Sequence, residues 1–192
     1  MTEEDWDYVT AAHLKGSFNC IRHACGIMRE QRWGRITNTT SPARLGLVCN
    51  SGYSTAKAGI VGLSKGVALD IGSYGITCNA YAPVAATRMT LSEAHRARLV
   101  REYDSGAITE ESYRRRMNPP PPEAIPPLLV YLCTDEAADI NGQVFGVRGQ
   151  EIHIYQERAE NSIVKNESFW TVDELVELVP KALFSGRASE TL

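Results

Sequence analysis

Between Arg35 and Ala82 the chain changes its hydrophobic order twice, and that alternation restricts its fold more than any other feature. Arg35-Ile36-Thr37-Asn38-Thr39-Thr40 is short and rich in β-branched residues, which predicts a strand ending in the loop Ser41 to Gly52. From Tyr53 to about Ile71, Ala56, Ala58, Gly59, Val61, Leu63, Val67 and Leu69 put small and apolar groups on several faces of a helix, predicting one largely buried and packed on more than one side. Gly72-Ser73-Tyr74-Gly75 stops that helix. Ile76-Thr77-Cys78-Asn79-Ala80-Tyr81-Ala82 then predicts a second strand, terminated by Pro83, which lacks a backbone donor. Strand, helix, strand within one layer requires a crossover, so the two strands are parallel and the fold class is α/β.

The flanks extend this unit. Thr2-Glu3-Glu4-Asp5, a hydroxyl followed by acids, opens a long helix carrying Trp6, Val9, Ile21 and Ile27 to about Arg32, where Trp33-Gly34 breaks it. Residues 88–118 are charged and helical in composition and read as a mobile cap. Six of the nine prolines lie between Pro119 and Pro127 and form its stiff hinge. Ala124 to Cys133 is apolar at helical spacing, and Gly142 to Val147 predicts a third strand. Residues 1–153 therefore form one partial domain. Residues 154–192 are a docked or swapped tail, in which Thr171-Val172-Asp173-Glu174 is a capping box opening a short amphipathic helix with Leu175, Leu178 and Leu183.

Composition excludes several classes. A chain of 192 residues, 43% hydrophobic and 22% charged, has the make-up of one ordinary globular domain. Its net charge of -3 gives no reason to expect nucleic acid or an anionic membrane as partner. No stretch approaches the roughly 20 apolar residues of a membrane span, and Met-Thr-Glu-Glu-Asp lacks the basic and apolar regions of a signal peptide, so a cytoplasmic location is expected. Cys20, Cys25, Cys49, Cys78 and Cys133 are odd in number and never spaced C-x-x-C, and are expected to be buried free thiols. His13, His23, His95 and His153 show no ligand spacing, so no metal site is expected.

The chemistry concentrates at Tyr53-Ser-Thr-Ala-Lys57. An i, i+4 pair at a helix start places a phenol and an ammonium on one face, one turn apart. A free phenol titrates near pH 10, so it serves as an acid/base at neutral pH only where a neighbouring cation favours the phenolate; Lys57 is such a cation. Ser41, on the loop leaving the preceding strand, can reach the same place and hold a carbonyl or hydroxyl by hydrogen bond.

Gly34-Arg-Ile-Thr-Asn-Thr-Thr-Ser41, then Tyr53-x-x-x-Lys57-Ala-Gly-Ile-Val-Gly-Leu, then Ile76-Thr-Cys-Asn-Ala-Tyr-Ala-Pro83, in that order, resemble the short-chain dehydrogenase/reductase family. Asp139-Ile-Asn-Gly-Gln-Val-Phe-Gly-Val is similar to its last strand, and the resemblance covers about residues 3 to 150. It implies that Tyr53 exchanges the hydroxyl proton, that Lys57 supports Tyr53 and binds the nicotinamide ribose, and that Ser41 fixes the carbonyl of a small hydroxyl or ketone substrate. Ser41 stands twelve residues before Tyr53 where many members have thirteen, so Thr40 competes for that role.

The chain departs from the family pattern in three places. His13-Leu14-Lys15-Gly16 stands where many members carry N-L-x-G, and His13 either substitutes in the proton relay or is an ordinary helix histidine. The usual Pro-Gly is replaced by Pro83-Val84-Ala85-Ala86-Thr87-Arg88-Met89-Thr90, similar to the dehydrogenase region of peroxisomal multifunctional enzyme type 2 and related bacterial 3-oxoacyl reductase-like proteins. This implies a 3-hydroxyacyl or 3-oxoacyl substrate, with Pro83, Val84 and Thr87 beside the nicotinamide. Finally, no G-x-x-x-G-x-G follows a leading strand. The resemblance thus implies a truncated Rossmann-like parallel sheet with flanking helices, lacking the N-terminal Gly-rich half. NAD or NADP is the implied cofactor, held by this chain alone with severely reduced affinity. An open sheet edge at Arg35 to Thr40 and uncovered helices predict a homo-oligomer, since the first two helices form a four-helix dimer interface in the family. The alternative reading is a catalytically impaired, oligomer-forming fragment with a binding role or none.

Overall fold

A computed structural model describes residues 1–48, 50–156 and 170–182, leaving aside the side chains of residues 180 and 182. Cys49 and Leu183 lie outside the described residues. The Thr2 hydroxyl accepts from the Asp5 amide and the Asp5 carboxylate from the Thr2 amide, a reciprocal cap that starts α1 (Glu3–Thr10). The long helix predicted from about Thr2 to Arg32 is continuous but not uniform. Between α1 and α2 (Gly16–Gln31) the backbone widens into one π-helical turn, Ala11–Lys15, with His13 at its centre. Arg32, left-handed at φ 55°, caps α2, and β1 (Gly34–Thr39) follows.

The core of the sheet is as expected. β1 pairs in parallel with β2 (Ile76–Val84), Gly34 opposite Ile76 and Thr39 opposite Tyr81, and α3 (Ser51–Ile71) is the crossover. β2 pairs in parallel with β3 (Val144–Arg148). Two expectations are corrected here. Pro83 does not end the second strand but lies inside β2, opposite Val147. The Thr40 amide donates to the Tyr81 carbonyl, and the Ala80 amide to the Gln143 carbonyl, so odd positions of β2 face β1 and even ones face β3. Pro83 therefore turns its missing N–H toward the side where β1 has already ended, and no ladder bond is lost. The sheet is also not wholly parallel. β4 (Glu151–Ile154) folds back antiparallel on β3, straddling the boundary expected at 153/154, and the order is β1-β2-β3-β4. Its four residues are all exposed; Glu151-Ile152-His153-Ile154 alternates polar and apolar, but over four residues only, at the lower limit of a strand signal.

α3 packs on the sheet through Ala56, Ile60, Val61, Ser64, Ala68 and Ile71, and turns Leu69, 86% exposed, to solvent. As expected it is packed on more than one side, by the sheet and by the N-terminal helices, where Leu14 closes on Gly59, and only the face with Leu69 is open. On the other face Leu128 and Leu132 of α6 (Pro126–Leu132) join Ala137, Phe145 and Val147 in the main apolar cluster. Asn79, fully buried, stitches this layer: its Nδ2 donates to the Ile140 carbonyl at 2.7 Å and its Oδ1 accepts from the Gln143 amide at 2.9 Å. Residues 88–118 contain two capped helices, α4 (Glu93–Asp104) and α5 (Glu110–Met117). The four described cysteines are free, but only Cys78 is buried; Cys20 and Cys133 are exposed and Cys25 half-buried.

Residues Met1–Tyr155 form one compact unit and Gln156–Leu192 a second. In the second, α7 (Val172–Ala182) begins at the predicted capping box, with the Thr171 amide donating to the Glu174 carboxylate and the Glu174 amide to the Thr171 hydroxyl. Among the described residues no helix is long and apolar enough to cross a membrane, and no cluster of His, Cys, Asp or Glu could hold a metal ion.

Candidate active site

The carboxyl ends of β1 and β2 and the amino end of α3 meet at one edge of the sheet, the usual place for a ligand in a parallel α/β layer. Tyr53 and Lys57 rise from the first turns of α3. The Lys57 ammonium stands 5.6 Å from the centre of the Tyr53 ring and donates to the Thr39 carbonyl at 2.9 Å. That bond anchors the lysine to the last residue of β1. Lys57 is only 6% exposed, and burial pushes its ammonium below the usual lysine range.

His13 reaches the same place from the π-helical turn. Its ring meets Tyr53 edge-on, with centroids 5.2 Å apart at 79°. Desolvation first, and the Lys57 charge second, lower its pKa, so it is held as neutral imidazole at neutral pH. Three residues singled out in the sequence, His13, Tyr53 and Lys57, are therefore brought together.

Ser41 and Thr40 stand side by side but do different things. Thr40 is 1% exposed and its hydroxyl donates to the Lys57 carbonyl at 2.7 Å, fastening the end of β1 to the second turn of α3. Ser41 is half-buried and caps the 3-10 turn Pro42–Leu45 by accepting the Ala43 amide at 3.2 Å. Its hydroxyl proton is not used in that bond. No hydrogen bond among the described residues joins Ser41 to Tyr53. Pro83 and Val84 end β2 at the same edge of the sheet, and Thr87 lies beyond it in a loop bound by Thr90, whose hydroxyl accepts from the Thr87 amide and donates to the Ala85 carbonyl. The Ala86 amide donates to the Pro120 carbonyl, tying that loop to the proline cluster. No bond among the described residues links Pro83, Val84 or Thr87 to Tyr53 or Lys57.

One contributor was missed in the sequence. The Thr39 carbonyl is backbone and leaves no signature in residue type. The Tyr81 hydroxyl, 2.6 Å from the Thr39 hydroxyl, joins the ends of β1 and β2 on the opposite face of the sheet, where Tyr81 packs on the α6 cluster. Strand alternation could have separated Thr40 from Ser41: Ile36, Asn38 and Thr40 share a face, and the Asn38 amide donates to Ser64 of α3, so Thr40 lies beneath the helix.

Comparison with known proteins identifies the family. Residues 1–149 match the family model described as enoyl-(acyl carrier protein) reductase. The chain is 32% identical over 200 residues to hydroxyacyl-CoA dehydrogenase ChsB1 of Mycobacterium tuberculosis, an alignment covering 99% of this chain and 59% of that protein. It is 33% identical over 148 residues to peroxisomal multifunctional enzyme type 2 of Mus musculus, covering 77% of this chain and 18% of that protein. Among solved structures, a short chain dehydrogenase from Mycobacterium avium superposes with a TM-score of 0.78 at 35% identity, covering 98% of this chain and 59% of that one. The chain thus spans little more than half the length of ChsB1 and of the Mycobacterium avium protein. A parallel sheet crossed by one helix, a Tyr-Lys pair at its carboxyl edge and a family match over most of the chain lead to one assignment: the protein belongs to the short-chain dehydrogenase/reductase family.

Proposed function

We propose that this chain carries the substrate-side half of an NAD- or NADP-dependent oxidoreductase that interconverts a hydroxyl and a ketone on a 3-hydroxyacyl or 3-oxoacyl thioester. The observation that carries the reading is the buried Lys57 ammonium, fixed by the Thr39 carbonyl and placed 5.6 Å from the Tyr53 ring, with neutral His13 on the ring edge. Relatives named as hydroxyacyl-CoA dehydrogenase and peroxisomal multifunctional enzyme support the thioester class.

The residues present fit the nicotinamide end of the cofactor. One Lys57 proton is given to Thr39, which leaves two donors for ribose hydroxyls at an open sheet edge. Pro83, Val84 and Thr87 follow from the same edge as the flanking wall. When bound, the nicotinamide supplies hydride chemistry at the carbinol carbon. The chain's own residues manage the proton and the orientation. Ser41 donates its unused hydroxyl proton to the substrate oxygen and positions the carbonyl. Tyr53 gives its phenolic proton to that oxygen during reduction and takes one from the hydroxyl during oxidation. The Lys57 charge stabilises the phenol oxygen while the proton is away. His13, neutral and able both to donate and to accept, passes protons between this pair and solvent.

Calorimetric titration of NADH and NADPH, alongside hydride-transfer assays with 3-oxoacyl thioesters, tests this. Binding that Tyr53→Phe, Lys57→Met weakens, with turnover lost in Tyr53→Phe, is expected. No binding heat and no turnover would overturn the proposal and leave the impaired, oligomer-forming reading in its place.

A further inference from the structure

The loop that carries Ser41 is held from a distance. Arg44 sits in the same 3-10 turn, three residues after Ser41, and its guanidinium lies 4.5 Å above the ring of Tyr155. Its Nε is buried without a hydrogen-bond partner, and no ion pair to Arg44 exists among the described residues. A half-buried cation with an unpaired donor is costly, so the ring face is the compensating contact. Tyr155 is itself a fixed platform. Its amide donates to the Val144 carbonyl at 2.8 Å, its ring meets His153 edge-on at 4.7 Å, and it packs on Val61, Ala80 and Val144.

We infer that Arg44 and Tyr155 form a cation–π latch that positions Ser41, coupling the β3-β4 hairpin to the hydroxyl that orients the substrate oxygen. The turn transmits the anchor because it is short and internally bonded: the Arg44 amide donates to the Ser41 carbonyl, the Gly46 amide to the Ala43 carbonyl, and the Ala43 amide to the Ser41 hydroxyl. Displacing the arginine frees the segment in which Ser41 is the cap. Arg44 is a positioning residue, not a catalytic one. Its role in turnover rests on the function proposed above, whereas its role in ordering the loop does not.

The test uses Arg44→Met, which keeps the aliphatic stem, Tyr155→Leu, which removes the ring face, and Tyr155→Phe, which keeps it. Arg44→Met and Tyr155→Leu are each expected to lower kcat about tenfold or more, as misplacement of a reacting group does. The Kd for the nicotinamide cofactor should be unchanged, the double variant no worse than either single, and Tyr155→Phe near wild type. Amide exchange of Arg44 and Gly46 should accelerate about tenfold in the two damaging variants and not in Tyr155→Phe. Faster exchange with an inactive wild-type protein would uphold the latch and refute the oxidoreductase reading. Unchanged exchange in Arg44→Met and Tyr155→Leu, or equal losses in kcat and cofactor affinity, would overturn the latch.

Discussion

Thr40 and Ser41 are adjacent hydroxyls with different bonds, and under the proposed function only Ser41 meets the substrate, so replacing each in turn separates them. In Thr40→Val the hydroxyl lost is a buried donor to the Lys57 carbonyl, but that carbonyl sits inside α3 and keeps its helical partner. Only the net value of one hydrogen bond is at stake, about 1 kcal/mol of stability. The isosteric methyl fills the same space, and Thr40 is 1% exposed, so no cavity opens. The barrier to hydride transfer should change by less than about 0.5 kcal/mol, within roughly twofold in kcat. In Ser41→Ala the stability loss is that of a cap to the Ala43 amide, again about 1 kcal/mol. Under the proposed function turnover also loses a donor to the substrate oxygen, and such losses run about 10²- to 10³-fold in kcat. Paired urea unfolding and hydride-transfer assays on the two variants measure all four quantities. If Thr40→Val lost more turnover than Ser41→Ala, the division of labour read from the 2.7 Å bond to Lys57 would be wrong.

Four further outcomes are expected. Asn79→Ala leaves the part-buried Ile140 carbonyl and Gln143 amide without their partner, costing about 1 to 3 kcal/mol, visible as a fall in the urea midpoint. Gly75→Ala places a Cβ 2.6 Å from the Arg32 carbonyl at φ 77° and should lower Tm by the equivalent of about 1 to 2 kcal/mol or more. His13 titrates below its ordinary value in the folded protein, so the stability it confers is complete above about pH 6.5 and is lost as pH falls toward the folded pKa; comparing pH-stability curves of wild type and His13→Asn should show that acid limb reduced in the variant. Size-exclusion chromatography with light scattering should return a dimer or larger, because Leu14, Phe18 and Leu63 line an open apolar groove between the N-terminal helices and α3; a folded monomer would refute self-association.

What could be read from residues alone was the local order. The strand-helix-strand unit, the Thr2 and Thr171 helix starts, and the placing of Tyr53 and Lys57 on one helical turn follow from period and spacing, which need no knowledge of distant contacts. The tertiary structure decided matters that depend on residues far apart. It brought His13 against Tyr53 across forty positions of chain, and gave the lysine a backbone carbonyl that no residue type announces. It sent Thr40 under α3 while leaving the Ser41 proton unused, because successive residues of an extended chain point to opposite sides. Pro83 could enter β2 only because the pairing with β1 ends at Tyr81, two positions earlier, a property of the sheet and not of proline. The exposed cysteines escaped for the complementary reason: burial is set by what packs against a surface, and no segment states its own neighbours.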